Sequence, residues 1–203
     1  MKILIVEDTD AQRDWAEKTI IGHEIYYARS KEEVEWELNY DLVLSDLEIP
    51  KETNDEPKAA TGMRLFKEFM DALMKGTIKG LAMVSNLEHH AMDDESYEWE
   101  IRENLNIIKS LAGLYKYGSP DPFHMKKRDR GVKNLAVLVD SIHIYWFPGY
   151  YDKKTGEVFC PNDDQRANRI PSLLERVRSG EVIPLKPWKE VVEFFQKEIE
   201  GGD

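Results

Sequence analysis

The stretch Tyr40 to Pro50, YDLVLSDLEIP, constrains the fold more than any other. Leu42, Val43, Leu44 and Ser45 form a short, mostly apolar run without a 3.6-residue period, and Pro50 closes it. Such a run reads as a strand buried on both faces. Asp46 stands where that strand emerges, at its C-terminal end, which is where open parallel sheets collect their chemistry. One Asp there is either a site residue or a loop cap. Its company at the other strand ends decides between them.

The flanking segments supply that company. Lys2 to Val6, KILIV, is rich in β-branched residues and predicts a central strand ending at Glu7-Asp8. Asp10 then caps a helix with Ala11, Trp15 and Ile20 on one face. Ile25 to Ala28 predicts a second strand. Ser30 and Glu33 form a capping box ahead of a helix carrying Val34 and Leu38. After Pro50 the segment KETNDEPKAAT is polar and structureless. From Gly62, Leu65, Phe69 and Leu73 recur at i+4, predicting an amphipathic helix to about Gly76. Ile78 to Ser85 predicts a fourth strand ending in a hydroxyl. Near the C-terminal end, Val182 to Leu185 predicts a strand, followed by Lys186-Pro187. Trp188, Val191, Phe195 and Ile199 follow at helical spacing, with Pro187 suited to the first turn. Strand–helix alternation of this kind is the signature of a parallel α/β sheet.

Composition narrows the function. The chain has 203 residues, 41% hydrophobic and 33% charged, which fits a globular protein rather than a disordered one. Its net charge of −11 disfavours nonspecific binding to nucleic acid. The single cysteine, Cys160, leaves no internal disulfide and suits a reducing, cytoplasmic setting. Ile3 to Val6 is too short for a signal-peptide core, and no stretch approaches a membrane span.

With strands ordered 2-1-3-4-5, the ends bearing Glu7-Asp8, Asp46, Ser85 and Lys186 meet at one crevice. Glu7, Asp8 and Asp46 form a hard oxygen cluster suited to Mg²⁺. Asp46 could attack phosphorus as a carboxylate nucleophile, while Lys186 and Ser85 serve the phosphoryl oxygens.

In these residues the chain resembles the receiver domain of two-component response regulators. The matching motifs are LIVED at 4–8, DLVLSDLEIP at 41–50, TGMRLFKEF at 61–69, AMVSN at 82–86 and PLKPW at 184–188. The resemblance covers residues 1–88 and about 181–200, roughly half the chain. It implies a flavodoxin-like, doubly wound, five-stranded parallel sheet built from 1–88 and 181–203, with 89–180 as an inserted α+β subdomain. It implies Asp46 as phosphoacceptor, Ser85 as switch hydroxyl, and Lys186 as the conserved-type lysine, whose bond to Pro187 is usually cis in the family. Glu7, Asp8, Asp46 and the backbone carbonyl of Glu48 would hold Mg²⁺. A histidine kinase or phosphotransfer protein would donate the phosphoryl group. A downstream protein would read the result, through the insertion, with no direct nucleic-acid or membrane contact.

Besides the long separation of Ser85 from Val182, which is the most conspicuous departure, four features differ from that pattern. Gly62 follows Asp46 at a longer interval than the family uses, so the loop beside the acceptor is expanded. Glu48 places a fourth carboxylate near the site, able to repel phosphate or pair with Lys186. Asn86 follows Ser85 where a very small residue is usual. Ile183 stands where many receivers carry a switch aromatic. Glu48 and Asn86 motivate an alternative, a pseudo-receiver that is never phosphorylated and acts as a binding or scaffold module. A third reading is a Mg²⁺-dependent phosphoester enzyme using Glu7, Asp46 and Glu48, without any Gly-rich phosphate cradle to support it.

The inserted segment carries its own patterns. Asp94 to Lys116 predicts one long helix of about 33 Å. Leu135 to Val139 reads as a buried strand. Ile144 to Tyr150 and Glu157 to Cys160 flank a turn and suggest a hairpin. Pro171 to Arg178 predicts a short helix. A rival parse seats Leu135 to Val139 in the main sheet and displaces Val182 to Leu185 from it. His89, His90, Asp93 and Asp94 read as a solvated helix start rather than a zinc site. Lys126, Lys127, Arg128, Arg130 and Lys133 read as a solvated basic loop, with an acidic partner as the rival reading. Tyr145, Trp146, Phe147, Tyr150 and Tyr151 read as core and hairpin pairs rather than a stacking platform.

Overall fold

A computed structural model describes residues 1–85, 99–116, 125–127, 130–139, 148–160, 173, 175–177 and 179–201. Strands β1 (Lys2–Val6), β2 (Glu24–Ala28), β3 (Leu42–Ser45) and β4 (Gly80–Ser85) fall where the apolar runs place them. Helix α1 spans Asp10–Thr19 and α2 spans Ala59–Met74. Next come α3 (Trp99–Leu111), β5 (Ala112–Lys116), β6 (Met125–Lys127), β7 (Val132–Val139), β8 (Gly149–Asp152) and β9 (Glu157–Phe159). The described chain closes with β10 (Val182–Leu185) and α4 (Trp188–Glu200).

Seven strands form one sheet in the order β2-β1-β3-β4-β7-β5-β6. All neighbours are parallel except β6, which runs antiparallel to β5 at the edge. The first four strands keep the order expected for a doubly wound fold. The fifth place differs: β7 sits beside β4, and β10 instead pairs antiparallel with β8 in a three-stranded sheet, β10-β8-β9. The rival parse is therefore the one adopted, and the five-strand order 2-1-3-4-5 with Val182 to Leu185 as its last member is corrected. Leu135 to Leu138 are buried and carry side chains into both faces, as an interior strand requires. Pro184 has no N–H to donate, which confines β10 to an edge, and an edge of the small sheet is where it lies.

The two faces of the large sheet carry separate cores, set by strand alternation. Ile3, Ile5, Leu42, Leu44, Ala82, Val84, Ala136 and Leu138 meet α1 and α4 through Ala16, Trp188, Val191 and Phe195. Leu4, Val6, Val43, Leu81, Met83, Leu135 and Val137 meet α2 and α3 through Phe66, Phe69, Leu105 and Ile108. Each such large side chain contributes about 1.5–3 kcal/mol on burial.

Two predicted helices are corrected. Between β2 and β3 the chain makes turns, held by Val34 N–H to Lys31 O (3.4 Å) and Leu38 N–H to Glu35 O (3.2 Å). Glu32, Glu33, Glu35 and Glu37 crowd this short segment, and like charges one turn apart disfavour a helix. Val34 and Trp36 still anchor it, the indole lying 5.0 Å from the Phe69 ring. The helix predicted to run to Lys116 ends at Leu111, and Ala112 opens β5. Gly113 weakens any continuation of the helix, and it suits the strand, where a Cβ would lie 2.5 Å from Val132 O. The β5–β7 register shifts beside it, and Asn134 in β7 takes a left-handed φ of 61° while its amide donates to Lys79 O (3.0 Å).

The hairpin of β8 and β9 stands as predicted around Asp152 to Gly156. Tyr150 is fully buried and stacks 5.6 Å from Phe159. The polar loop after Pro50 is pinned at its base by Lys58 N–H to Ile49 O (3.2 Å). Of the predicted helix at 171–178, Leu173 and Glu175 to Val177 are described, and they are helical. Asn86, His89, His90, Asp93, Asp94, Arg128 and Tyr145 to Phe147 lie outside the described residues.

Candidate functional site

Register and alternation assemble the site before any side chain is considered. Val6 pairs with Ser45 across β1 and β3, so Glu7 and Asp46 are the first residues past the ladder on each strand. Asp46 N–H still donates to Val6 O (3.0 Å), and Glu7 N–H to Ala28 O (2.9 Å). Ile3, Ile5, Leu42 and Leu44 face α1 and α4, so alternation turns Glu7 and Asp46 to that same face. Lys186, which leads into α4, arrives there too.

Lys186 is 2% exposed. Its ammonium forms an ion pair with Glu7 Oε2 and a second with Asp46 Oδ2 at 2.7 Å. Both acids are buried as well. Buried ions are costly unless paired, and one cation between two carboxylates leaves the group net negative. Burial lowers the lysine's proton affinity, but Asp46 and Glu7 outweigh it and hold the ammonium up at about 12. Burial pushes Glu7 up to about 7; Lys186 draws it down while Asp46 and Asp8 push it further up. Asp8 is raised by burial and by Asp46.

Asp46 is oriented from its own backbone. Its Oδ1 accepts from Leu47 N–H at 2.6 Å, and the Ser45 hydroxyl donates to Asp46 O at 2.9 Å. Gly62 of α2 abuts this turn, and a Cβ there would fall 1.9 Å from Leu47 O. A glycine at 62 is therefore a steric requirement of the loop that presents Asp46.

Carboxylate oxygens of Glu7, Asp8 and Asp46 all lie within 4.8 Å of one another. This buried acidic cluster could hold a metal ion. Ligands around a cation at 2.0–2.1 Å stand at most about 4.2 Å apart, and around one at 2.3–2.6 Å about 5.2 Å. The donor set therefore fits a hard divalent cation after a movement of a few tenths of an ångström, and its all-oxygen chemistry disfavours zinc. Glu48 is half-buried, and burial together with Asp46 and Asp8 pushes its carboxyl up to about 7. The Glu48–Lys186 pair considered from sequence does not form among the described residues, because Lys186 is taken by Glu7 and Asp46.

Ser85 ends β4 and is 5% exposed. Ser45 pairs with Met83, so Ser85 stands two positions further along the neighbouring strand. The Lys186–Pro187 bond is trans. The lysine reaches the acids because of Gln12, which sequence reasoning missed. The Gln12 amide donates to Pro184 O (2.7 Å) and accepts from Lys186 N–H (2.9 Å), clamping the backbone on both sides of Leu185. Arg13, also missed, donates to Glu7 O (3.1 Å) and Asp8 O (3.3 Å) and fixes the acidic turn. Of the predicted face, Ile20 is buried just past the helix and Trp15 packs half-buried against the same core, while Gln12, Arg13 and Ala16 are the buried residues within α1 and widen that face. A glutamine and an arginine directly after an acidic strand end were the available signal.

No helix among the described residues is long and apolar enough to cross a membrane. No family model matches the chain, and neither does any curated protein or any solved structure.

Proposed function

We propose that this chain is a receiver-like signalling module whose Asp46 accepts a phosphoryl group from a phosphohistidine. The observation that carries the reading is the meeting of Glu7, Asp46 and Lys186, three distant parts of the sequence, in one buried cluster at the C-terminal ends of parallel strands. Mg²⁺ would be held by Glu7, Asp8, Asp46 and the Glu48 carbonyl, and when bound it supplies charge neutralisation to phosphoryl oxygens. In the transfer, a carboxylate oxygen of Asp46 forms a bond to phosphorus. The P–N bond to the donor histidine breaks, and its electron pair stays on the imidazole nitrogen. Lys186 donates to the phosphoryl oxygens. Ser85 lies one position past the residue level with Asp46, so alternation turns it to the α2 and α3 face, and its service to the phosphoryl group requires a movement of the β4 end. The donor is a histidine kinase or phosphotransfer protein, and the output is a protein–protein contact.

Intact-mass measurement after treatment with an acyl phosphate and Mg²⁺ tests this reading. The expected result is a phosphoryl-sized gain that is absent in Asp46→Asn. No gain with donor in excess overturns it. Glu48 favours a second reading, a pseudo-receiver, because its carboxyl crowds Asp46 and Asp8 where an incoming phosphoryl group would sit. That reading expects no gain from the wild type and, since the Glu48 carboxyl is the obstacle, a gain in Glu48→Gln.

A further inference from the structure

We propose that a groove at the opposite end of the sheet docks an acidic, amphipathic helix of a partner protein. The groove has a volume of about 690 Å³ and lies among the end of α2, the end of α3 and the entries to β4 and β7. Met74 and Leu111 line it at 69% and 42% exposure, and Ile107, one turn before Leu111 on α3, is 54% exposed. Single exposed apolar residues are ordinary, but these lie along neighbouring helix ends and continue into a groove floored by Ile78 and Val132.

The charge around this apolar strip is opposite in sign to that of the whole chain. Lys79, Arg130 and Lys133 line the groove in a protein of net charge −11. Lys79 is paired with Asp41 at 2.6 Å, whereas Arg130 and Lys133 have no ion-pair partner among the described residues. A positive rim beside exposed apolar anchors selects a ligand with the complementary arrangement. A helix with apolar residues at i and i+4 and carboxylates beside them has that arrangement.

Other occupants fit less well. A second copy related by a two-fold axis would bring the same cations face to face. An anionic membrane surface asks for about 4–8 clustered basic residues, and the described lining of this groove offers three, one of them paired with Asp41. A small anion needs a closed, desolvated site, whereas these cations are exposed. The inference stands apart from the phosphoryl reading and survives or fails without it.

The test titrates the full chain into a fluorescein-labelled peptide of about four helical turns. The peptide carries leucines on one face and glutamates on the rest. A scrambled peptide of equal composition and a lysine-for-glutamate peptide serve as controls, read by anisotropy. The acidic amphipathic peptide is expected to bind about tenfold or more tighter than either control. Its affinity should fall about tenfold in Arg130→Glu/Lys133→Glu, and similarly in Leu111→Ser, with circular dichroism unchanged. The proposal is overturned by no binding, by equal binding of the scrambled peptide, or by indifference to both variants. It is equally overturned if phosphatidylserine vesicles bind, or the chain dimerises, in a manner these variants abolish.

Discussion

The two ends of the large sheet handle charge in opposite ways. At the C-terminal ends of the strands, Glu7, Asp46 and Lys186 are buried and satisfy one another. At the N-terminal ends, Asp41 and Lys79 pair at the surface, and Arg130 and Lys133 face solvent. The carboxyls follow the same division. Burial raises Glu7 and Glu48 to about 7. At Asp41 burial also pushes upward, but the Lys79 ammonium and the Lys2 N–H overcome it and hold the acid below its ordinary value. One end gathers buried acids around a single ammonium. The other presents charge to whatever approaches.

The strongest way to break that contrast is Lys186→Met, which leaves two buried carboxylates without a counterion. A loss of about 3–5 kcal/mol is expected at pH 8, read from urea unfolding, and it should shrink as Glu7 protonates at lower pH. A loss below about 1 kcal/mol would mean the acids are solvated. Next in size is the divalent cation. At about a hundredfold over its dissociation constant, Mg²⁺ should stabilise the protein by about 2.7 kcal/mol, and Asp8→Asn should reduce that gain. Lys186 lies 5.3 Å from the Trp188 ring centroid, so tryptophan emission should report the titration, and Trp188→Phe should silence it.

Gly62→Ala should cost about 1–3 kcal/mol, because the methyl group must displace the Leu47 carbonyl. Thermal unfolding reads the cost, and phosphoryl uptake at Asp46 should fall with it. The pH profile sharpens the comparison further. A carboxyl raised in the folded state contributes stability that is complete below its ordinary value and lost as pH rises through about 7. Without metal, stability should therefore decline from pH 5 to pH 8, and Glu48→Gln should flatten the slope. Asp41 works in reverse: its contribution is present above its ordinary value and lost as pH falls through the depressed one, and Lys79→Met should remove that loss. The smallest effect belongs to the open end, where Arg130→Glu/Lys133→Glu should shift stability by less than about 0.5 kcal/mol.

Local signals were enough for half of this architecture. The runs KILIV and LVLS are apolar enough to demand burial on both faces, and each stops at an acid, so β1, β3 and their outermost carboxylates could be read directly. The α2 and α4 stripes were equally plain. Long-range pairing was not legible in the same way. Leu135 to Val139 and Val182 to Leu185 both read as short buried strands, and only Pro184 hinted at which one was fit for an edge. Ala112 and Tyr115 kept a helical beat by coincidence, and nothing but Gly113 marked the change to a strand. Within the site, the acids and the lysine were visible because charged residues at strand ends are unusual. Gln12 was hidden, since a polar residue on an amphipathic helix reads as solvent-facing until its partner, 172 residues away, is known.

That partnership couples two helices to the charge cluster. Gln12 on α1 grips the backbone that leads into α4 at Pro184 and Lys186. The same backbone carries the ammonium held between Glu7 and Asp46. Any sliding of α1 along the sheet would therefore drag the lysine out of line with both acids.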